Sequence, residues 1–212
     1  MKIQYILSLL LIAIAFAAGI YLYDQLPDPM PSHWNANGEV DDYMAKDTAL
    51  FFMPGIALFM LGLFIIIPKL DPLKKNIEKF RKYYDWFIFL MIAFLIYIYF
   101  VTIAWALGYQ FSMNYAIMPP LAALFYYIGI LCENSKRNWF IGIRTPWTLS
   151  NDTVWNKTNQ LAGKLFKILA AVFVVGLLLP SEFFIYTIIA VIIVALYPVV
   201  YSFFEFRKLT KK

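Results

Sequence analysis

Few side chains in this 212-residue chain have the types and spacing that chemistry needs. His33 is the only histidine, and a zinc site built on it would draw its remaining protein ligands from carboxylates such as Asp41 and Asp42. That spacing fits no standard zinc motif. Beside Trp34, His33 reads as a hydrogen-bonded structural residue, with metal or acid–base work and contact with a partner as the alternatives. Cys132 is the only cysteine, so no intramolecular disulfide can form, and it reads as small apolar filler. Arg144 can snorkel to a phosphate, pair with Asp152 or Glu133 to lock its loop, or meet a partner. Trp139, Trp147 and Trp155 read as anchors at headgroup depth. No catalytic residue, metal site or cofactor is expected.

The elements that must position these residues are membrane spans. The chain is 62% hydrophobic and 15% charged, with a mean hydropathy of +0.69, a composition of the membrane class. Apolar runs cover Ile3–Tyr23, Ala49–Ile67, Trp86–Leu107, Tyr115–Leu131, Leu165–Leu179 and Phe183–Phe204. Each is close to the ~17 to 25 residues that cross ~30 Å of hydrocarbon. The fifth run is the shortest and gains length if its helix begins upstream, near Trp155. Ala15-Phe16-Ala17 resembles a signal-peptidase site, but the apolar run is longer than a usual signal segment and the helix is expected to be retained. The predicted fold is therefore an all-α membrane protein of six transmembrane helices.

Charge sets the orientation. Of the 18 Lys and Arg residues, all but Lys46 fall in alternate connections or at the termini. Basic residues accumulate on the cytoplasmic side, which predicts cytoplasmic N and C termini. The net charge of +5 then reflects this bias and contact with anionic lipids, not binding of nucleic acid. No Asp, Glu, Lys, Arg or His lies near the middle of a span. A charge there costs from about 2.5 kcal/mol upward and is usually kept for a use. Proton-coupled transport, a charged ion pathway and metal-dependent intramembrane proteolysis thus lack their usual parts. Hydroxyl bonds to backbone account for Thr102 and Thr187, and Pro119, Pro120 and Pro198 mark kinks or packing notches.

Two loops carry the remaining information. The outer loop, residues 24–48, is acidic, with Asp24, Asp28, Glu39, Asp41, Asp42 and Asp47 against Lys46. Prolines at 27, 29 and 31 favour an extended chain, and Asn37-Gly38 predicts a tight turn, so a compact extended-turn-extended cap is expected. On the inner side, Asp71 as N-cap and Pro72 in the first helical position predict a basic amphipathic helix running through Leu73, Ile77, Phe80 and Tyr84 on the inner leaflet. In the second inner loop, Pro146 keeps Thr145 out of the helical region. Ser150 or Asn151 can cap a helix with Asp152 in its first turn, and Trp155, Asn159, Ala162 and Phe166 line one face of it.

The second inner loop also carries a resemblance. Gly142, Ile143, Arg144, Thr145, Pro146, Trp147, Thr148 and Leu149, followed by Trp155, Thr158, Asn159, Ala162, Gly163 and Lys164, resemble the pattern G-[IL]-R-T-P-W-T-L … W-x-x-[ST]-N-x-x-[AG]-[GS]-K. That is the signature of the SdpI family, the membrane immunity proteins against sporulation-delaying toxins. Residues 26–54 resemble the family's N-terminal module, of the DUF1648 type, through His33, Trp34, Asn35, Gly38, Asp41, Tyr43 and Lys46. Ala45 departs from it at the small-hydroxyl position before Lys46. The resemblance implies residues 1–67 as a two-helix module, 68–85 as a cytoplasmic amphipathic linker, and 86–212 as a four-helix immunity-family region with its cytoplasmic loop at 132–164. It implies a non-enzymatic protein that protects its host from a secreted peptide toxin, the outer residues binding that toxin or shaping their loop. It also allows a receptor that relays toxin binding to a cytoplasmic transcriptional regulator. A transporter or membrane enzyme is the further alternative.

Overall fold

The structure is a computed structural model and describes residues 2–35, 37–180 and 184–210. Phe183, the predicted start of the sixth span, and Lys211 and Lys212 lie outside the described residues. Six helices are long and apolar enough to cross a membrane: α1 (Ile3–Leu22), α2 (Lys46–Leu70), α4 (Arg81–Ala106), α5 (Met113–Asn134), α7 (Asp152–Gly176) and α8 (Phe184–Thr210). Short α3 (Lys74–Glu78) and α6 (Pro146–Ser150) lie in the connections, and a hairpin of β1 (Met30–Trp34) and β2 (Val40–Met44) joins α1 to α2. The hairpin sits at one end of the bundle; α3, α6 and most of the basic residues gather at the other, called here the basic end.

Several helices begin before the apolar stretches that identify them, because a ladder of backbone hydrogen bonds can continue into polar sequence. α7 shows this most clearly. It begins at Asp152, where the Asn151 side chain accepts from the backbone N–H groups of Thr153 and Val154. The first inner connection does not run on as predicted. Asp71 accepts from the N–H of Leu73 at 2.6 Å, but it is not the N-cap and Pro72 is not in the first helical position: Leu73 precedes α3, which lasts only from Lys74 through Glu78, and the chain turns into α4 at Arg81. Ile77, Phe80 and Tyr84 are buried in the protein core rather than laid on a leaflet.

Packing divides the helices into two groups. Tyr5, Ser8, Ile12, Ala15 and Gly19 of α1 form one buried stripe. Leu50, Pro54, Ala57 and Leu61 of α2 form another, as do Ile88, Ile92, Ile96, Tyr99 and Ile103 of α4. These three- and four-residue steps bring α1, α2 and α4 into one apolar cluster. α5, α7 and α8 form the second, in which Phe125 stacks on Phe166 and Phe173 with ring centroids 6.1 and 5.5 Å apart. α5 and α7 approach most closely at two glycines. A Cβ added at Gly163 would lie 2.7 Å from the Gly129 carbonyl oxygen and 2.3 Å from Glu133 Cγ. Small residues at such crossings let two backbones touch where lipid offers no hydrophobic incentive to associate.

Gly163→Val therefore pushes α5 and α7 apart. Overpacking of this kind costs ~1–3 kcal/mol, so the variant is expected to melt below the wild-type protein in the same detergent. An unchanged melting temperature would show that the crossing tolerates a side chain.

Candidate functional site

Two polar structures close the ends of the bundle, and each holds one of the residue sets singled out above. At the hairpin end, β1 and β2 pair antiparallel, with Met30 opposite Met44, Pro31 opposite Tyr43 and His33 opposite Asp42. The turn is held by Asn35. Its Oδ1 accepts from the N–H groups of Asn37 and Glu39 at 2.9 and 3.1 Å, and its Nδ2 donates to the Glu39 carboxylate. Gly38 has φ +81°, and a Cβ there would meet Ser112 Oγ at 3.4 Å. Backbone strain and the seat against the start of α5 both favour glycine at this position. Trp34 packs edge-on against Trp105 of α4, centroids 6.1 Å apart.

The departure at Ala45 has a structural answer. Ala45 is the N-cap of α2 and offers no side-chain acceptor; Asp28 reaches back instead, and its carboxylate accepts from the Lys46 N–H at 3.1 Å. Lys46 itself donates to the Leu26 carbonyl and lies 4.4 Å from the Tyr23 ring centroid. Trp34, Asn35, Gly38 and Lys46 thus hold the hairpin in place. His33, Asp41 and Tyr43 face outward, with His33 Nδ1 2.6 Å from an Asp41 carboxylate oxygen. Among the described residues, no three His, Cys, Asp or Glu side chains converge as a metal ion would require.

At the basic end, the irregular chain from residue 135 to 145 is folded by side-chain amides and hydroxyls in place of secondary structure. Asn138, fully buried, accepts from the N–H groups of Phe140 and Ile141 and donates to the carbonyls of Lys136 and Ile141. Asn159 of α7 accepts from the Ile143 N–H at 2.8 Å. Gly142, between them, has φ +103°, and a Cβ there would stand 2.6 Å from Asn159 Oδ1. Thr145 and Thr148 form a reciprocal capping box over Pro146 at the start of α6. The Thr145 hydroxyl also lies 3.0 Å from that of Ser202 on α8, and Trp147 packs on Phe203 at 5.1 Å.

Two expectations are corrected here. Asp152 pairs with Arg137, at 2.9 Å, not with Arg144. Arg144 donates to the Trp139 carbonyl, and Glu133, the other partner considered for it, holds Lys167 at 2.6 Å. Trp155 is not an interfacial anchor: it is 0% exposed and donates its indole N–H to the Ser135 carbonyl. Trp139, by contrast, is 52% exposed.

Sequence reasoning missed the residues that join this loop to the rest. The Asp71 carboxylate, read only as a cap, also accepts from the Trp139 N–H at 2.8 Å, and Asn76 donates to the Arg137 carbonyl. Both links span more than sixty residues of sequence. Asn138, four residues before the first signature residue, Gly142, could have been noticed as an amide beside the apolar run Trp139–Ile141.

The comparisons with known proteins agree with this layout. Residues 134–202 match the SdpI/YfhL protein family, and residues 10–58 match a domain of unknown function, DUF1648. Over 191 residues, 90% of this chain and 89% of the relative, the chain is 26% identical to "Immunity protein SdpI" of Bacillus subtilis (strain 168). No solved structure matches it.

The corrected pairing is testable by double-mutant cycles on thermal unfolding. Arg137→Ala with Asp152→Ala should show a coupling of about 0.2–1 kcal/mol, the range for partly exposed pairs. Arg144→Ala with Asp152→Ala should be additive. The reverse pattern would restore Arg144 as the partner of Asp152.

Proposed function

We propose that this multi-pass protein of the bacterial plasma membrane, which matches the SdpI/YfhL protein family over residues 134–202 and DUF1648 over residues 10–58, gives immunity to a secreted peptide toxin. The observation that carries the reading is the near full-length similarity to a protein named for immunity. The hairpin is the surface assigned to the toxin. It is stiffened by Asn35 and Gly38 and seated on α4 and α5, and it presents His33, Asp41, Asp42 and Tyr43 to solvent. Its excess of carboxylates suits a cationic peptide. Binding requires no catalytic step.

The assignment places the hairpin outside the cell and the basic end in the cytoplasm, supported by the distribution of Lys and Arg. A second reading, relay of occupancy to a cytoplasmic regulator, is favoured by one feature. α2 starts at the hairpin and runs unbroken to Leu70, and the next residue, Asp71, grips the signature loop through Trp139. The division of labour assigns residues 1–67 to toxin contact and 132–164 to the inner face.

Topology is tested with cysteine at position 37 or 150 in a Cys132→Ser background and a membrane-impermeant thiol reagent on intact cells. Asn37→Cys should label and Ser150→Cys should not; outside labelling of position 150 would invert the assignment.

Immunity is tested by survival of a toxin-sensitive bacterium producing this protein. The wild-type chain should protect. Gly38→Val and Asp41→Ala, present in the membrane at wild-type level, should protect less. Protection unchanged in both variants would remove the hairpin as the toxin surface, and none from the wild-type chain would remove the immunity reading.

A further inference from the structure

At the basic end, α7 and α8 diverge to leave a groove of about 400 Å³ lined by Asn156, Lys157, Gln160, Leu161 and Lys164 of α7 and Tyr201 of α8. The α7 residues follow helical spacing, so both lysines stand on one face, seven residues apart and thus ~10 Å along the axis. The groove lies where α7 changes character: Lys164 is followed by the apolar run that begins at Leu165, so this stretch sits at headgroup depth.

The charges are arranged to leave a surplus. Glu205 of α8, whose side chain is 6% exposed, holds Lys157 at 2.8 Å and Lys208 at 2.5 Å. One carboxylate therefore faces two ammonium groups. It fixes Lys157 at the groove wall while leaving that side chain 53% exposed. Lys164 has no hydrogen-bond or ion-pair partner among the described residues, and the Tyr201 hydroxyl, near Lys157, makes no hydrogen bond there. Three cations against one carboxylate, with a hydroxyl free to hydrogen-bond and an apolar floor, favour a ligand with an anionic head and a hydrocarbon tail. Basic pockets between transmembrane helices suit lipid phosphates.

We propose that this groove is a binding site for the headgroup of an anionic phospholipid, with the phosphate held by Lys164 and Lys157 and the first tail carbons against Leu161. The site uses none of the residues assigned to the toxin and stands or falls apart from that reading.

The test uses the full-length protein in detergent with a fluorescent-tailed phosphatidylglycerol. Unlabelled phosphatidylglycerol, phosphatidylcholine and inorganic phosphate serve as competitors. Phosphatidylglycerol should displace the probe well below the concentration at which phosphatidylcholine does, and inorganic phosphate should not displace it. Lys164→Gln should weaken binding about fivefold, as expected for loss of one base facing an anionic surface; Lys164→Arg should restore it. Lys75→Gln, an exposed lysine at the same end outside the groove, should bind as wild type. Equal losses in Lys164→Gln and Lys75→Gln would reduce the effect to diffuse surface charge and overturn the site. So would equal competition by the two phospholipids, or displacement by inorganic phosphate, which would mark a bare anion site.

Discussion

Hydrocarbon offers no hydrogen-bond partner, and the rest of this structure is organised around that constraint. Every backbone N–H and carbonyl within the bilayer must be satisfied inside its own segment, which makes the six spans helical and confines the hairpin and the signature loop to the two ends. The same constraint changes what holds the helices together. Lipid tails are as apolar as the side chains they meet, so association rests on close fit. The Gly129–Gly163 crossing and the interlocked rings of Phe125, Phe166 and Phe173 are two forms of it.

Polar side chains then do at the ends what secondary structure does in the spans. Asn138 and Asn159 each satisfy backbone groups in a loop with no ladder of its own, and Thr145 and Thr148 close the first turn of α6. Asn35 does the same at the hairpin turn. The glycines beside these residues are part of the same solution. Gly38 and Gly142 both take positive φ and both sit where a Cβ would crowd a polar atom.

Buried charge follows a similar logic. Asp85 of α4 is 2% exposed, and its carboxylate accepts from Lys2, Tyr5 and Arg81; Glu205 is held between Lys157 and Lys208. A desolvated carboxylate is costly alone and tolerable when its lone pairs are all engaged. Both clusters lie near helix termini at the basic end, away from the bilayer centre. Each ties two helices: α1 to α4 through Asp85, and α7 to α8 through Glu205. The basic end therefore carries the buried carboxylate ties between helices, whereas the hairpin end is joined through packing and through side-chain hydrogen bonds such as those of Tyr97 to the Ala116 carbonyl and Tyr115 to the Leu179 carbonyl.

The amino-acid sequence by itself determined the six spans, the turn at Asn37-Gly38, a cap at Ser150 or Asn151 and the resemblance to the SdpI family. Hydropathy, turn chemistry and capping are properties of one segment, and a segment displays them wherever it is placed. Only the tertiary structure decided that Asp152 belongs to Arg137, that Trp155 is core and that Ile77, Phe80 and Tyr84 face protein instead of lipid. Only it showed that Asp71 holds Trp139. An apolar face reads the same whether helix or lipid covers it, and a carboxylate reads the same before its cation is chosen. Those outcomes depend on which distant segments the bundle brings together, because a side chain's partner is set by distance in space and not by distance along the chain.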